Sequence, residues 1–190
     1  MEINWYGHSC FRLRDRGGVV VTHPHASHNY LKGVKGSPKV IDGPGEYEIQ
    51  GIFITGIASY HDRRKGRDRG KNTIYLFDFE GLTVCHLGDL GQVPTRSQVE
   101  DLSDIDILLL PVGSHTTINA AEASEVISLL EPRVVIPMHY RTEAMGKSPL
   151  DSVDRFLKVM GVKGTPQERL KVTKSTLPDD MQVVLLKHKG

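Results

Sequence analysis

Nine histidines are spread unevenly over the 190 residues, and three fall within six positions, His23-Pro24-His25-Ala26-Ser27-His28. Neutral imidazole is the commonest protein ligand for zinc and related ions, so this tract is a candidate metal site. His23 and His25 stand at i and i+2, which in an extended segment point to one side and can grip one ion together. His28 needs a turn or a helix start to join them. The bland alternative is a polar loop that happens to be rich in histidine. Further ligand-type residues share one layout, an apolar strand with the residue at its carboxyl end. Ile52–Ile57 leads through Ala58-Ser59-Tyr60 to His61, and Leu82–Leu87 leads to Gly88-Asp89. Arg133–Ile136 leads through Pro137-Met138 to His139, and Ile105–Leu110 leads through Pro111-Val112-Gly113 to Ser114-His115. Loops converge at strand carboxyl ends in layered α/β proteins, so repetition of the layout lifts residues that singly would read as packing.

The elements that must position these groups are mostly strands in the first 110 residues. Ile3–Tyr6 and Cys10–Arg14 alternate around Gly7, and Val19–Thr22 is a β-branched run that reads as a buried strand. Lys39–Ile41 is another strand candidate, followed by the turn signal Gly43-Pro44-Gly45. Tyr47–Ile49 and Ile52–Ile57 pair around Gly51. Thr73–Phe79 and Leu82–Leu87 form a hairpin about Glu80-Gly81. Helices enter later. Asn119 with Glu122 makes a capping box, and Ala123, Val126, Ile127 and Leu130 then form one apolar stripe, ended by Pro132. Ser148-Pro149 starts a second helix through Leu150, Val153, Phe156, Leu157 and Met160, with Gly161 at its end. Leu170–Thr173 and Met181–Leu186 read as closing strands. Strands first, then helix and strand in alternation, describe a mixed α/β domain.

Composition narrows the function classes. One domain over residues 1–190 is the expectation from length. The hydrophobic fraction of 38% plus 19 glycines is ordinary for a globular chain and excludes wholesale disorder. A net charge of +1 gives no global attraction to nucleic acid or anionic membrane, so neither is expected as partner. Cys10 and Cys85 make neither a disulfide framework nor a zinc ribbon. The longest apolar run, Ile105–Val112, is interrupted by Asp106 and Pro111 and is too short for a membrane span. The amino terminus lacks the basic and apolar regions of a signal peptide, and a cytoplasmic location is the expectation.

Taken in order, His23-x-His25-x-Ser27-His28, His61, Gly88-Asp89 and His139 resemble the metal motifs of the metallo-β-lactamase superfamily. The surrounding text, Gly7-His8-Ser9, Asp42-Gly43-Pro44-Gly45-Glu46-Tyr47, Tyr60-His61-Asp62, Gly88-Asp89-Leu90-Gly91 and Pro137-Met138-His139-Tyr140, is similar to its ascorbate-6-phosphate-lactonase-like branch. The likeness runs from about Met1 to Tyr140. It implies a four-layer αββα sandwich and a divalent-metal site of one or two ions, Zn or Mn. His23, His25 and His61 would hold the first ion, and His28 and His139 would belong to the second. Asp89 would bridge them as the catalytic carboxylate. The implied chemistry is hydrolysis of a small ester, lactone or phosphorylated substrate by metal-activated water.

Two departures bear on this expectation. Ser27 stands where the family carries an Asp that ligates the second ion and orients the attacking water. A neutral hydroxyl is a poor substitute, so the alternative is a non-catalytic or single-metal member acting as a binding protein. The amino-terminal part is also shortened: Arg14-Asp15-Arg16-Gly17-Gly18 passes straight into Val19, where the family has a further strand and loop. Tyr140, Arg141 and His115 are the candidate substrate contacts, with a small molecule as the expected partner and a homo-oligomer compatible with the sequence. The basic stretch from Asp62 to Lys71 reads as a solvated loop that could also rim the site. His86, Trp5 and Cys85 read as structural, and His188 is assigned no role.

Overall fold

The computed structural model describes residues 1–14, the backbone of 18–21, and residues 37–189. His23, His25, Ser27 and His28 therefore lie outside the described residues.

Two sheets share one apolar core. The smaller is antiparallel. β1 (Glu2–Trp5) pairs on one side with β10 (Leu170–Lys171) and on the other with β2 (Phe11–Arg14), which pairs with β3 (Gly18–Val21). Among the described residues the larger has seven strands, in the spatial order Gln182–Val183, Val134–Met138, Ile107–Pro111, Leu82–His86, Lys71–Phe79, Ile52–Tyr60 and Gly45–Ile49. Its first half is a meander of β4 (Gly45–Ile49), β5 (Ile52–Tyr60), β6 (Lys71–Phe79) and β7 (Leu82–His86). Phe79 faces Leu82 across the two-residue turn Glu80-Gly81, whose positive φ values, 55° and 84°, suit the right-handed twist of a hairpin. From β7 the sheet continues in parallel through β8 (Ile107–Pro111), β9 (Val134–Met138) and β11 (Gln182–Val183). Strands β8 and β9 are buried at every position, as a parallel sheet requires.

The crossover between β8 and β9 is α2 (Ala120–Leu130). Asn119 accepts from the amides of Ala121 and Glu122 while Glu122 reaches back to the Asn119 amide, so the capping box read in the sequence is closed. Ala123, Val126, Ile127 and Leu130 are buried as one stripe. Core residues of the small sheet, Ile3, Trp5, Phe11 and Leu13, join those of the large sheet in one cluster. The result is the α/β sandwich expected from the sequence. Among the described residues no helix is long and apolar enough to cross a membrane.

Two local expectations are corrected, and one short helix is added. Lys39–Ile41 is not a strand. Lys39 and Val40 are exposed, and the carbonyls of Ile41 and Gly43 accept from Tyr75 Oη instead of a ladder. Just beyond it the chain passes over β5 at Gly56, where a Cβ would lie 2.8 Å from the Gly43 carbonyl. The last long helix, α3 (Val153–Met160), begins at the cap Ser152 rather than at Ser148-Pro149. The intervening backbone has another use: Asp151 N–H donates to Gly113 O and Asp151 O accepts from Arg141 N–H, which ties together the loops after β8 and β9. A short helix, α1 (Arg96–Asp101), was not expected, although Thr95 and Gln98 form a capping box visible in the sequence.

Candidate metal centre

Strands β7, β8 and β9 run parallel, and β5 is antiparallel to β6, which is antiparallel to β7. The carboxyl ends of β5, β7, β8 and β9 therefore open on one edge of the large sheet. His61 follows β5, Asp89 follows β7, and His139 follows β9. All three are at most 5% exposed. His61 Nε2 lies 3.2 Å and His139 Nε2 3.6 Å from the same oxygen, Asp89 Oδ2. Residues far apart in sequence thus meet at one buried carboxylate.

Each is fixed by neighbours. His61 Nδ1–H donates to the Thr116 carbonyl at 3.1 Å, which sets the ring orientation and turns Nε2 toward Asp89. Burial opposes protonation of His61, but the Asp89 carboxylate outweighs it and raises the imidazole above its usual pKa. The Asp89 amide donates to Asn72 Oδ1, while Asn72 Nδ2 donates to Leu87 O and Ser59 Oγ. Gly88 makes the turn possible. Its φ is +61°, and a Cβ there would lie 2.3 Å from Asn72 Oδ1. Gly91 lets this loop press on the next: its amide donates to Tyr60 O, and a Cβ would come within 2.3 Å of the His61–Asp62 peptide. His139 N–H donates to His8 O, and its ring lies 5.6 Å from that of His8.

The small sheet contributes a group that the sequence reading passed over. Ser9, in the turn between β1 and β2, is fully buried, and its Oγ–H donates to Asp89 Oδ1 at 2.5 Å. His86 is structural as expected: Nε2–H donates to Ser9 O, and Nδ1 accepts from Gly88 N–H. Only the Gly7-His8-Ser9 motif pointed to this turn. His188, given no role from sequence, packs edge-on against Trp5 at 6.0 Å and covers Gly7, so it has a packing role.

The candidate substrate contacts are placed differently from one another. Tyr140 is buried against Trp5 at 5.0 Å, and burial pushes its phenol up to about 12. Its contacts are those of a core residue. Arg141 and His115 are exposed near the same sheet edge. Beside His61, the basic stretch is a solvated loop, as expected, and its backbone is gathered around Asp62. Both Asp62 carboxylate oxygens accept from backbone amides, those of Arg64, Gly66, Asp68 and Arg69, and Arg63 pairs with Glu122.

Taken alone, the described residues hold no group of three or more His, Cys, Asp or Glu side chains that could bind an ion. The donor chemistry nevertheless fits part of a larger ligand set: two imidazole nitrogens aimed at one carboxylate oxygen, with His61 braced by the Thr116 carbonyl and Asp89 by Ser9. Imidazole and carboxylate suit Zn, Mn, Fe and Ni alike. β3 ends at Val21, paired with Phe11, at the end of the small sheet that carries the Gly7–Ser9 turn. The His23–His28 tract follows directly in sequence.

Comparison with known proteins places the chain in a family and agrees with the fold. A profile described as a beta-lactamase superfamily domain matches residues 17–139. A UPF0173 metal-dependent hydrolase of Pyrococcus abyssi is 30% identical over 155 residues, which cover 68% of this chain and 69% of that protein. One from Natranaerobius thermophilus is 35% identical over 111 residues, covering 58% of this chain and 48% of that protein. The chain thus spans about half the length of some of these relatives. A Thermotoga maritima crystal structure, described as a candidate Zn-dependent hydrolase of the metallo-beta-lactamase superfamily, superposes with a TM-score of 0.82 at 37% identity over 99% of both chains. Igni18, a metallo hydrolase of Ignicoccus hospitalis, superposes with a TM-score of 0.63 over 90% of this chain at 18% identity, a likeness of fold alone.

Proposed function

The chain belongs to the metallo-β-lactamase superfamily, among relatives named metal-dependent hydrolases, and from that premise we propose that it hydrolyses a small ester, lactone or phosphorylated substrate at the edge where β5, β7 and β9 end. The observation that carries this reading is the convergence of His61 and His139 on Asp89 Oδ2. His61, Asp89 and His139 would hold divalent metal together with His23, His25 and His28, Zn or Mn being the ions proposed. A bound divalent ion supplies Lewis acidity and lowers the pKa of water toward about 7. The chain's own part is to fix the imidazoles, exclude bulk water and present one carboxylate oxygen. Arg141 and His115, exposed beside the centre, are the proposed substrate contacts, and Tyr140 is proposed to act through packing. The motif text favours the ascorbate-6-phosphate-lactonase-like branch, with a phosphorylated sugar lactone as the first substrate to try.

Elemental analysis of purified protein tests the reading, with His61→Ala, Asp89→Asn and His139→Ala beside it. The expected outcome is bound Zn or Mn in the wild type, with metal content and esterase or phosphodiesterase turnover both falling in the variants. A wild type without metal sinks it. Ser27 favours a second reading, a binding protein without turnover. Ser27→Asp separates the two: activity that exists only in the variant supports the binding reading, and activity already present in the wild type supports hydrolysis.

A further inference from the structure

We infer that Ser9 is the positioning residue for the Asp89 carboxylate, an inference that rests on the metal reading above. A carboxylate that would hold metal has two oxygens and a rotatable Cβ–Cγ bond, so something must decide which oxygen faces the two imidazoles. Here Ser9 Oγ donates to Oδ1 at 2.5 Å, and Oδ2 is the oxygen turned toward His61 and His139. The serine is itself clamped. Its carbonyl accepts from His86 Nε2 at 2.8 Å, and His86 Nδ1 accepts from the amide of Gly88, the residue before Asp89. Ser9, His86, Gly88 and Asp89 thereby close a ring across the two sheets. Ser9 is 0%, His86 1% and Asp89 1% exposed, so water does not compete for these bonds. Phe11 packs edge-on against His86 at 5.9 Å and holds the far side of the ring. A hydroxyl that binds one carboxylate oxygen keeps the carboxylate from rotating and from chelating through both oxygens. It sets orientation and donor strength, as partners behind metal ligands do.

The test is Ser9→Ala, with Ser9→Thr as the variant that keeps a hydroxyl. Zn²⁺ affinity is measured by competition with a chromophoric chelator, the visible absorption of the Co²⁺-loaded protein is recorded, and melting is followed without metal. The expected result is a Zn²⁺ affinity about 10–100-fold weaker in Ser9→Ala, on the scale of other partners behind metal ligands. An altered Co²⁺ spectrum should accompany it, with both moving back toward wild type in Ser9→Thr. Should Ser9→Ala not fold, Ser9→Gly removes the same hydroxyl, and the same comparison is read from it. Unchanged Zn²⁺ affinity and Co²⁺ spectrum, with only the melting temperature lowered, would mean a purely structural serine and overturn the inference while leaving the metal reading intact. An equal loss in Ser9→Ala and Ser9→Thr also overturns it. Failure of the wild type to take up either ion overturns the metal reading and this inference together.

Discussion

Asp89 can serve two imidazoles because its own backbone is placed by groups that never touch them. Gly88 takes a φ of +61° and lies against Asn72, and Asn72 in turn holds the Asp89 amide. Gly88→Ala should therefore lower stability by at least about 1–2 kcal/mol from left-handed strain alone, before the contact with Asn72 is counted. Urea unfolding of the metal-free variant measures this, and metal content should fall with it. A variant as stable as wild type would show that the turn adapts. The strain is local, but its consequence is the aim of a carboxylate.

At the level of elements, the loop from Asp62 to Lys71 is organised by a single carboxylate. Burial pushes the Asp62 pKa up, but the amides of Arg69, Arg64, Asp68 and Gly66 outweigh it and hold the group below the usual carboxylate range. The folded value is depressed, so the stability it contributes is fully present above the unfolded carboxylate pKa. It is lost as pH falls through the folded value. The stability gap between wild type and Asp62→Asn should therefore be constant near neutral pH and close in acid. Denaturation midpoints at a series of pH values test this, and a gap that widens in acid contradicts it. The same element logic explains the delayed start of α3. The backbone at Asp151 is committed to Gly113 and Arg141, so the chain cannot turn helical until Ser152.

Across the whole molecule, the centre lies where one sheet's edge meets the other sheet's turn. The proposed ligands His61, Asp89 and His139 come from loops after β5, β7 and β9, and Ser9 comes from the opposite sheet. Metal held among them binds the folded state only. It should stabilise by about 2.7 kcal/mol when free metal exceeds its dissociation constant a hundredfold. For a chain of this size that corresponds to a melting temperature about 5–10 °C lower after chelation. Differential scanning calorimetry with and without chelator, followed by Zn²⁺ add-back, checks the value. No shift on chelation would mean that the ion does not couple the two sheets.

Much of this was legible in the residues. The hairpin at Glu80-Gly81, the capping box at Asn119-Glu122 and the ligand types at strand ends are local patterns, and local hydrogen bonding and periodicity decide them. The Thr95–Gln98 box is equally local. What the sequence alone could not decide is adjacency. Sheet order, the crossing of residues 41–44 over Gly56, and the meeting of Ser9 with Asp89 depend on how distant apolar faces pack into one core. Packing of that kind is non-local, because it is the free energy of burying two sheets against each other that selects which loops become neighbours.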